Sequence, residues 1–128
     1  MQIDLLEVVA EVRKAFDDYE DALVNNKVDK LDALFHDDPR TIRYGGGENL
    51  YGYAEIKAFR GARSPVGLGR TISRTVITTY GTDFATASTL YERPSAPGKI
   101  GRQMQTWVKF PQGWRVVAAH VSMIDAGK

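Results

Sequence analysis

Tyr19 and Arg43 are of residue types suited to handling a small acidic molecule. A free tyrosine titrates near pH 10, so at neutral pH its hydroxyl suits proton donation better than proton abstraction. Arginine presents a planar fork of donors that matches a carboxylate in two-point contact. A carboxylate taken into a dry pocket needs such a partner, because an unpaired buried charge is costly. Gln105 could meet a polar ligand through its amide, as donor and as acceptor. Arg60, on a helical segment after Phe59, and His120, near the end of the chain, complete the candidates. Each also has a plain structural reading. Tyr19 lies on an apolar stripe, where a core tyrosine satisfies its hydroxyl at the edge of the packing. Arg43 would be an edge-strand charge, Arg60 a surface arginine, and His120 a residue of an exposed or interface face of the sheet.

Other chemistries lack their residues. The chain has no cysteine, which excludes disulfides, thiolate metal sites and thiol nucleophiles. His36-Asp37-Asp38 are three neighbours in a helix-ending turn, a poor arrangement for converging on one ion, and the chain holds only two histidines. Gly45-Gly46-Gly47 lacks the Gly-x-Gly-x-x-Gly spacing and the parallel βαβ setting of a dinucleotide site. No Gly-x-Ser-x-Gly elbow is present. A metal site, a nucleotide site and a serine-hydrolase site are therefore not expected.

The elements that must position these residues follow from periodicity. Leu5, Val9, Val12, Phe16, Tyr19 and Leu23 recur at steps of three and four, predicting a first helix of about five turns. Asp4 with Glu7 has the form of a capping box at its start. Asn25-Asn26 ends it. A short second helix is expected with Asp29 as cap and Leu31, Leu34 and Phe35 inward, ending before Pro39. Thr41–Tyr44 and Asn49–Tyr51 form a short hairpin around the three glycines. Tyr53–Arg63 is a third helix with Ile56 and Phe59 inward. Four long strands follow, at Arg70–Tyr80, Phe84–Arg93, Ile100–Phe110 and Trp114–Ile124, joined by tight turns into an antiparallel meander. Helices first and strands afterwards predict an α+β fold, a helical layer on a curved sheet with a pocket between them. On the last strand His120 and Ser122 oppose Val117, Ala119 and Val121, and alternation alone leaves open which set faces inward.

At 128 residues the chain fits one domain, expected to span 1–128. Seventeen basic and sixteen acidic residues leave a formal charge of +1, so nucleic acid is not an expected partner. No apolar run reaches the roughly 20 residues that span a bilayer, so no membrane partner is expected. The N-terminus lacks the form of a signal peptide, and a cytoplasmic protein is expected.

Three segments narrow the reading further: Asp37-Asp38-Pro39-Arg40-Thr41-Ile42-Arg43-Tyr44-Gly45, Glu48-Asn49-Leu50-Tyr51-Gly52-Tyr53 and Gly101-Arg102-Gln103-Met104-Gln105-Thr106-Trp107. With the closing hairpin through Trp114–Ser122, they resemble the nuclear-transport-factor-2-like superfamily. Within it they look like the branch of oxalurate catabolism proteins, which includes the small decarboxylating amidohydrolase of bacterial cyanuric acid breakdown. The resemblance covers nearly the whole chain. It implies a cone-shaped α+β fold, a homodimer through the sheet face, and removal of one N-carboxyl group from 1,3-dicarboxyurea to give allophanate, without a cofactor. It also implies Tyr19 and Arg43 as catalytic residues, with Gln105, and in addition Arg60 and His120, as candidate substrate-binding residues.

Two rival readings stand beside this one. Domains of this superfamily also serve as non-catalytic ligand-binding or assembly modules, since fold does not determine function. An isomerase or dehydratase of the same fold needs a pocket Asp or a His-Asp pair as base, yet Phe16 and Phe35 occupy the helix faces where one would stand.

Overall fold

The computed structural model describes residues 1–127. Helix α1 spans Leu6–Val24, α2 Val28–Ala33 and α3 Tyr53–Ala62. Strands β1 (Ile42–Tyr44) and β2 (Asn49–Tyr51) form the short hairpin. Strands β3 (Thr71–Tyr80), β4 (Phe84–Glu92), β5 (Lys99–Phe110) and β6 (Gly113–Asp125) form the meander. All six strands make one sheet in the order β2-β1-β6-β5-β4-β3, with β1 parallel to β6 and the other pairs antiparallel. The α+β architecture is the one expected, and the strand bounds agree to within a residue or so. Among the described residues no helix is long and apolar enough to cross a membrane.

Helix α1 buries Val8, Val12, Phe16, Tyr19, Ala22 and Leu23 against the sheet. The inward set differs from the expected stripe at its first turn, where Val8 is buried and Leu5 and Val9 are only partly so. The expected capping box is absent. Asp4 adopts φ 58°, and its Oδ1 accepts a hydrogen bond from the Thr79 N–H at 2.9 Å, tying the N-terminus to β3. No side chain caps α1. Its other end is capped by the left-handed Asn26 (φ 52°): the Lys27 N–H reaches the Ala22 carbonyl and the Asn26 N–H reaches that of Leu23. That pairing satisfies the last carbonyls of the helix. Helix α2 begins at Val28, so Asp29 lies in its first turn and is not its cap.

Two bulges bend the sheet over the helices. One lies between Ser73 and Val76 in β3, where Arg74 takes φ 52°. The other lies at Val117, which has no opposite number, because Thr106 pairs with Ala118 and Trp107 with Val116. This second bulge resets the alternation of β6. Ala119 and Val121 face inward with Gln105 and Gln103, their cross-strand partners, and His120 faces outward opposite Met104. One row of the inner face then reads Arg43, Ala119, Gln105, Ala87 and Ile77 across five strands. Two alanines, Ala119 and Ala87, flank Gln105 in that row.

Candidate active site

The sheet, the β1–β2 turn, helix α3 and the loop after it line an open cavity of about 190 Å³. Its lining includes Arg43, Glu48, Phe59, Arg63, Leu68, Tyr91, Arg93 and Val121. The loop after α3 brings Leu68 over it, 6% exposed. That loop meets the one after β4, where the Gly67 carbonyl accepts hydrogen bonds from Ser95 Oγ (3.2 Å) and Arg93 Nη1 (3.5 Å).

Behind this mouth the walls are aromatic and cationic. Tyr19 is buried, its ring 6.1 Å from that of Phe35 and 6.4 Å, edge-on, from Trp107. The Trp107 indole donates to Gln105 Oε1 at 3.1 Å. That bond orients the Gln105 amide, so its free end is the NH₂, whose nitrogen is buried without a partner. The expected use of Gln105 as both donor and acceptor therefore reduces to a donor. Gln103 is held the same way. Its Oε1 accepts from Arg70 Nη2 at 3.0 Å, and its Nε2 is left unpaired.

Five guanidinium groups line or back this space. Arg43 Nη1 donates to Glu48 Oε1 at 3.1 Å. Gly45 allows that pair, since a Cβ there would overlap the Glu48 carboxylate and crowd Arg43. Arg60 is 4% exposed, bound to Asp32 Oδ1 at 2.7 Å and stacked 4.7 Å over the Phe35 ring. Arg70 is paired with Glu20 and lies 4.5 Å over the ring of Tyr91. Arg93 lies over the same ring at 5.2 Å. Tyr91 is free to lie there because its cross-strand partner is Gly101, where any Cβ would overlap the ring. Arg63 and Arg93 have no carboxylate partner among the described residues.

The electrostatics reflect this crowding. Burial pulls the Arg63 guanidinium below its ordinary value, and Arg60, Arg43 and Arg93 push it the same way against the opposing influence of Tyr19. Burial also lowers Arg93, helped by Arg70 and opposed by Tyr91, Glu20 and Tyr19. Nitrogen atoms of Arg43, Arg60, Arg63, Arg93, Gln103 and Gln105 are buried with no hydrogen-bond partner. Folded proteins keep such orphans rare. Three of these side chains, Arg43, Arg63 and Arg93, line the cavity, and their unpaired donors are arranged for an acceptor.

A model of the AtzH-like family matches residues 1–127. The chain belongs to the AtzH-like family. Among solved structures, a protein of unknown function from Pectobacterium atrosepticum is 57% identical, with 96% of this chain and 95% of that one covered and a TM-score of 0.93. A cystatin-like fold protein from Burkholderia xenovorans is 46% identical over 99% of both chains, with a TM-score of 0.95. An NTF2-like superfamily protein from Salmonella enterica is 24% identical over 95% and 93% of the two chains, with a TM-score of 0.69, and shares the fold. No curated protein matches the chain.

In this AtzH-like chain Arg43 lines the cavity, whereas Tyr19, Gln105 and Arg60 are buried in the packing and are not part of its lining. Arg60 is held in the core with its Nη1 committed to Asp32 and its Nε buried without a partner. His120 does not join them. It is exposed on the outer face of the sheet, where it lines an open hollow with Ile42, Tyr44, Met104, Thr106 and Ala118. The Val117 bulge is the reason, since it decides which residues of β6 turn inward. Sequence reasoning missed Arg63, Arg70 and Arg93. One signal was available: between Glu55 and Asp83 the chain carries five basic residues and no acid.

Proposed function

We propose that this protein is a decarboxylating amidohydrolase that removes an N-carboxyl group from a small carboxylated urea, converting 1,3-dicarboxyurea to allophanate. Membership of the AtzH-like family supports the reading. The observation that carries it is the set of buried, unpartnered nitrogen donors of Arg43, Arg63 and Arg93 in the lining of one cavity. A urea bearing carboxylates offers oxygen acceptors of the kind these donors lack.

In the proposed step the bond between nitrogen and the carboxyl carbon breaks. Its electron pair stays on nitrogen, which takes a proton, and the carboxyl group leaves as carbon dioxide. Tyr19 supplies that proton and regains one from water. Arg43 holds a carboxylate and sets orientation, and the Gln105 NH₂ binds the urea carbonyl oxygen. A positioned acid contributes about 10²- to 10⁴-fold, which is useful for a substrate already prone to break down. The chemistry requires no cofactor.

The test generates the carboxylated urea in place with an upstream amidohydrolase and follows its loss by time-resolved carbon NMR against the uncatalysed rate. Acceleration by the protein is expected, with Tyr19→Phe and Arg43→Ala losing most of it while keeping the fold. No acceleration at stoichiometric protein would overturn the reading and favour a binding module.

A further inference from the structure

We infer that Arg93, with Arg63 beside it, forms a second anion-binding pole of the cavity, across from Arg43, so that the site selects molecules carrying two negative charges. This rests on the same cavity being the site proposed above, and it adds residues and a charge requirement to that reading.

The first support is a balance of charge. Arg43, Arg60 and Arg70 each have a carboxylate, from Glu48, Asp32 and Glu20 respectively. Arg63 and Arg93 have none among the described residues, so two positive charges stand uncompensated at one cavity. Burial without compensation costs folding free energy, and a guanidinium remains charged under ordinary conditions. The side chains repel one another, since Arg60, Arg43 and Arg93 all disfavour the charged form of Arg63. A bound dianion brings two negative charges to this cavity, matching the two uncompensated positive ones in number, whereas a monoanion brings one.

The second support is position. Arg43 enters from β1 and Arg93 from the end of β4, with β6 and β5 between them. Three inter-strand steps separate these strands, roughly 14 Å at the backbone, and both side chains line the same cavity. They reach in from opposite sides over aromatic supports, Arg43 over Phe59 at 5.8 Å and Arg93 over Tyr91 at 5.2 Å. The third support is the state of the donors. Arg63 Nε and Nη2 and Arg93 Nε are buried and unpaired, and the one bond from Arg93 Nη1, to the Gly67 carbonyl, is long at 3.5 Å. A carboxylate at this pole would take up donors that nothing else engages.

The experiment is a calorimetric titration with two stable probes, glutarate as the dianion and butyrate as the monoanion of similar length. Wild-type protein is expected to bind glutarate roughly tenfold or more tightly than butyrate, the worth of about one charge-assisted contact. In Arg93→Met, and more so in Arg63→Met/Arg93→Met, that ratio should fall toward one while butyrate still binds at Arg43. Arg102→Met, on the exposed outer face, should keep the wild-type ratio. Equal affinities for the two probes in the wild type, or no binding of either, would overturn the inference without recourse to any variant; so would a folded double variant that keeps the preference. The two readings fail separately. Dianion selectivity without turnover of the carboxylated urea removes the proposed reaction and leaves the second pole. Turnover without dianion selectivity does the reverse.

Discussion

Where β3 turns into β4 and β5 into β6, helix α1 lays Val8, Val12 and Phe16 into a core with Ala85, Trp114 and Val116. The Trp114 indole is answered there, donating to Glu11 at 2.9 Å, while the Thr79 hydroxyl is buried without a partner. One turn beyond Phe16 the same helix carries Tyr19 and Glu20 into surroundings of another kind. There the sheet presents Gln103, Gln105 and Tyr91, and the flanking segments supply Arg63, Arg70 and Arg93. The first region is close to complete, with the Thr79 hydroxyl its exception. In the second, burial outruns pairing, and the deficit is in acceptors. Burying donors without partners works against stability, so a fold that gathers them around one cavity has given up stability at that place. Such a trade is expected where a ligand binds.

The contrast can be broken at either end. Phe16 is fully buried, and Phe16→Ala should cost about 3–5 kcal/mol in a urea melt through lost transfer energy and a cavity. Glutarate affinity in the folded fraction should stay close to wild type, and a large loss of affinity there would show that the two regions are not separable. Gly101→Ala comes next. It forces the Tyr91 ring off its seat and with it the support under Arg70 and Arg93. A destabilisation of about 1–3 kcal/mol, typical of overpacking, is expected, with a drop in anion affinity that the same calorimetry would detect.

Arg63→Met should move stability the other way. It removes a half-buried guanidinium that has no carboxylate partner and keeps much of its length. A gain of about 0.5–2 kcal/mol is expected, visible as a raised Tm, together with weaker glutarate binding. A lowered Tm would mean that Arg63 holds the fold and is not held in reserve for a ligand. The smallest effect belongs to Lys14→Ala. Lys14 pairs with Asp18 on the exposed side of α1, and exposed pairs of this type contribute little. Neither Tm nor anion binding should change measurably.

Much of the architecture was legible before the structure. The spacing of Val12, Phe16, Tyr19 and Leu23 states a helix with one buried face, and all four are buried. The β-branched run from Thr71 and the turns at Gly81 and Gly113 state the meander, which the strands follow closely. What escaped were features in which a residue answers to distant parts of the chain. Asp4 is followed by a plausible capping partner, yet its carboxylate is drawn to the Thr79 N–H, 75 residues away. Arg60 reads as a surface arginine on a short helix, yet Asp32 and Phe35 take it into the core. His120 was grouped with the pocket, and one extra residue at Val117 puts it on the other side of the sheet.

The sequence by itself determined the elements, their order and the chemical types that could bind an acidic molecule, because helical and strand periodicities and glycine turns act over a few residues. Only the tertiary structure decided which polar groups find partners. Glu20, Asp32 and Glu48 each neutralise one arginine, Arg63 and Arg93 are left without a carboxylate among the described residues, and Gly101 clears the space for the ring beneath Arg70 and Arg93. Pairing and burial are properties of surfaces brought together from across the chain, and no local pattern of residues encodes them.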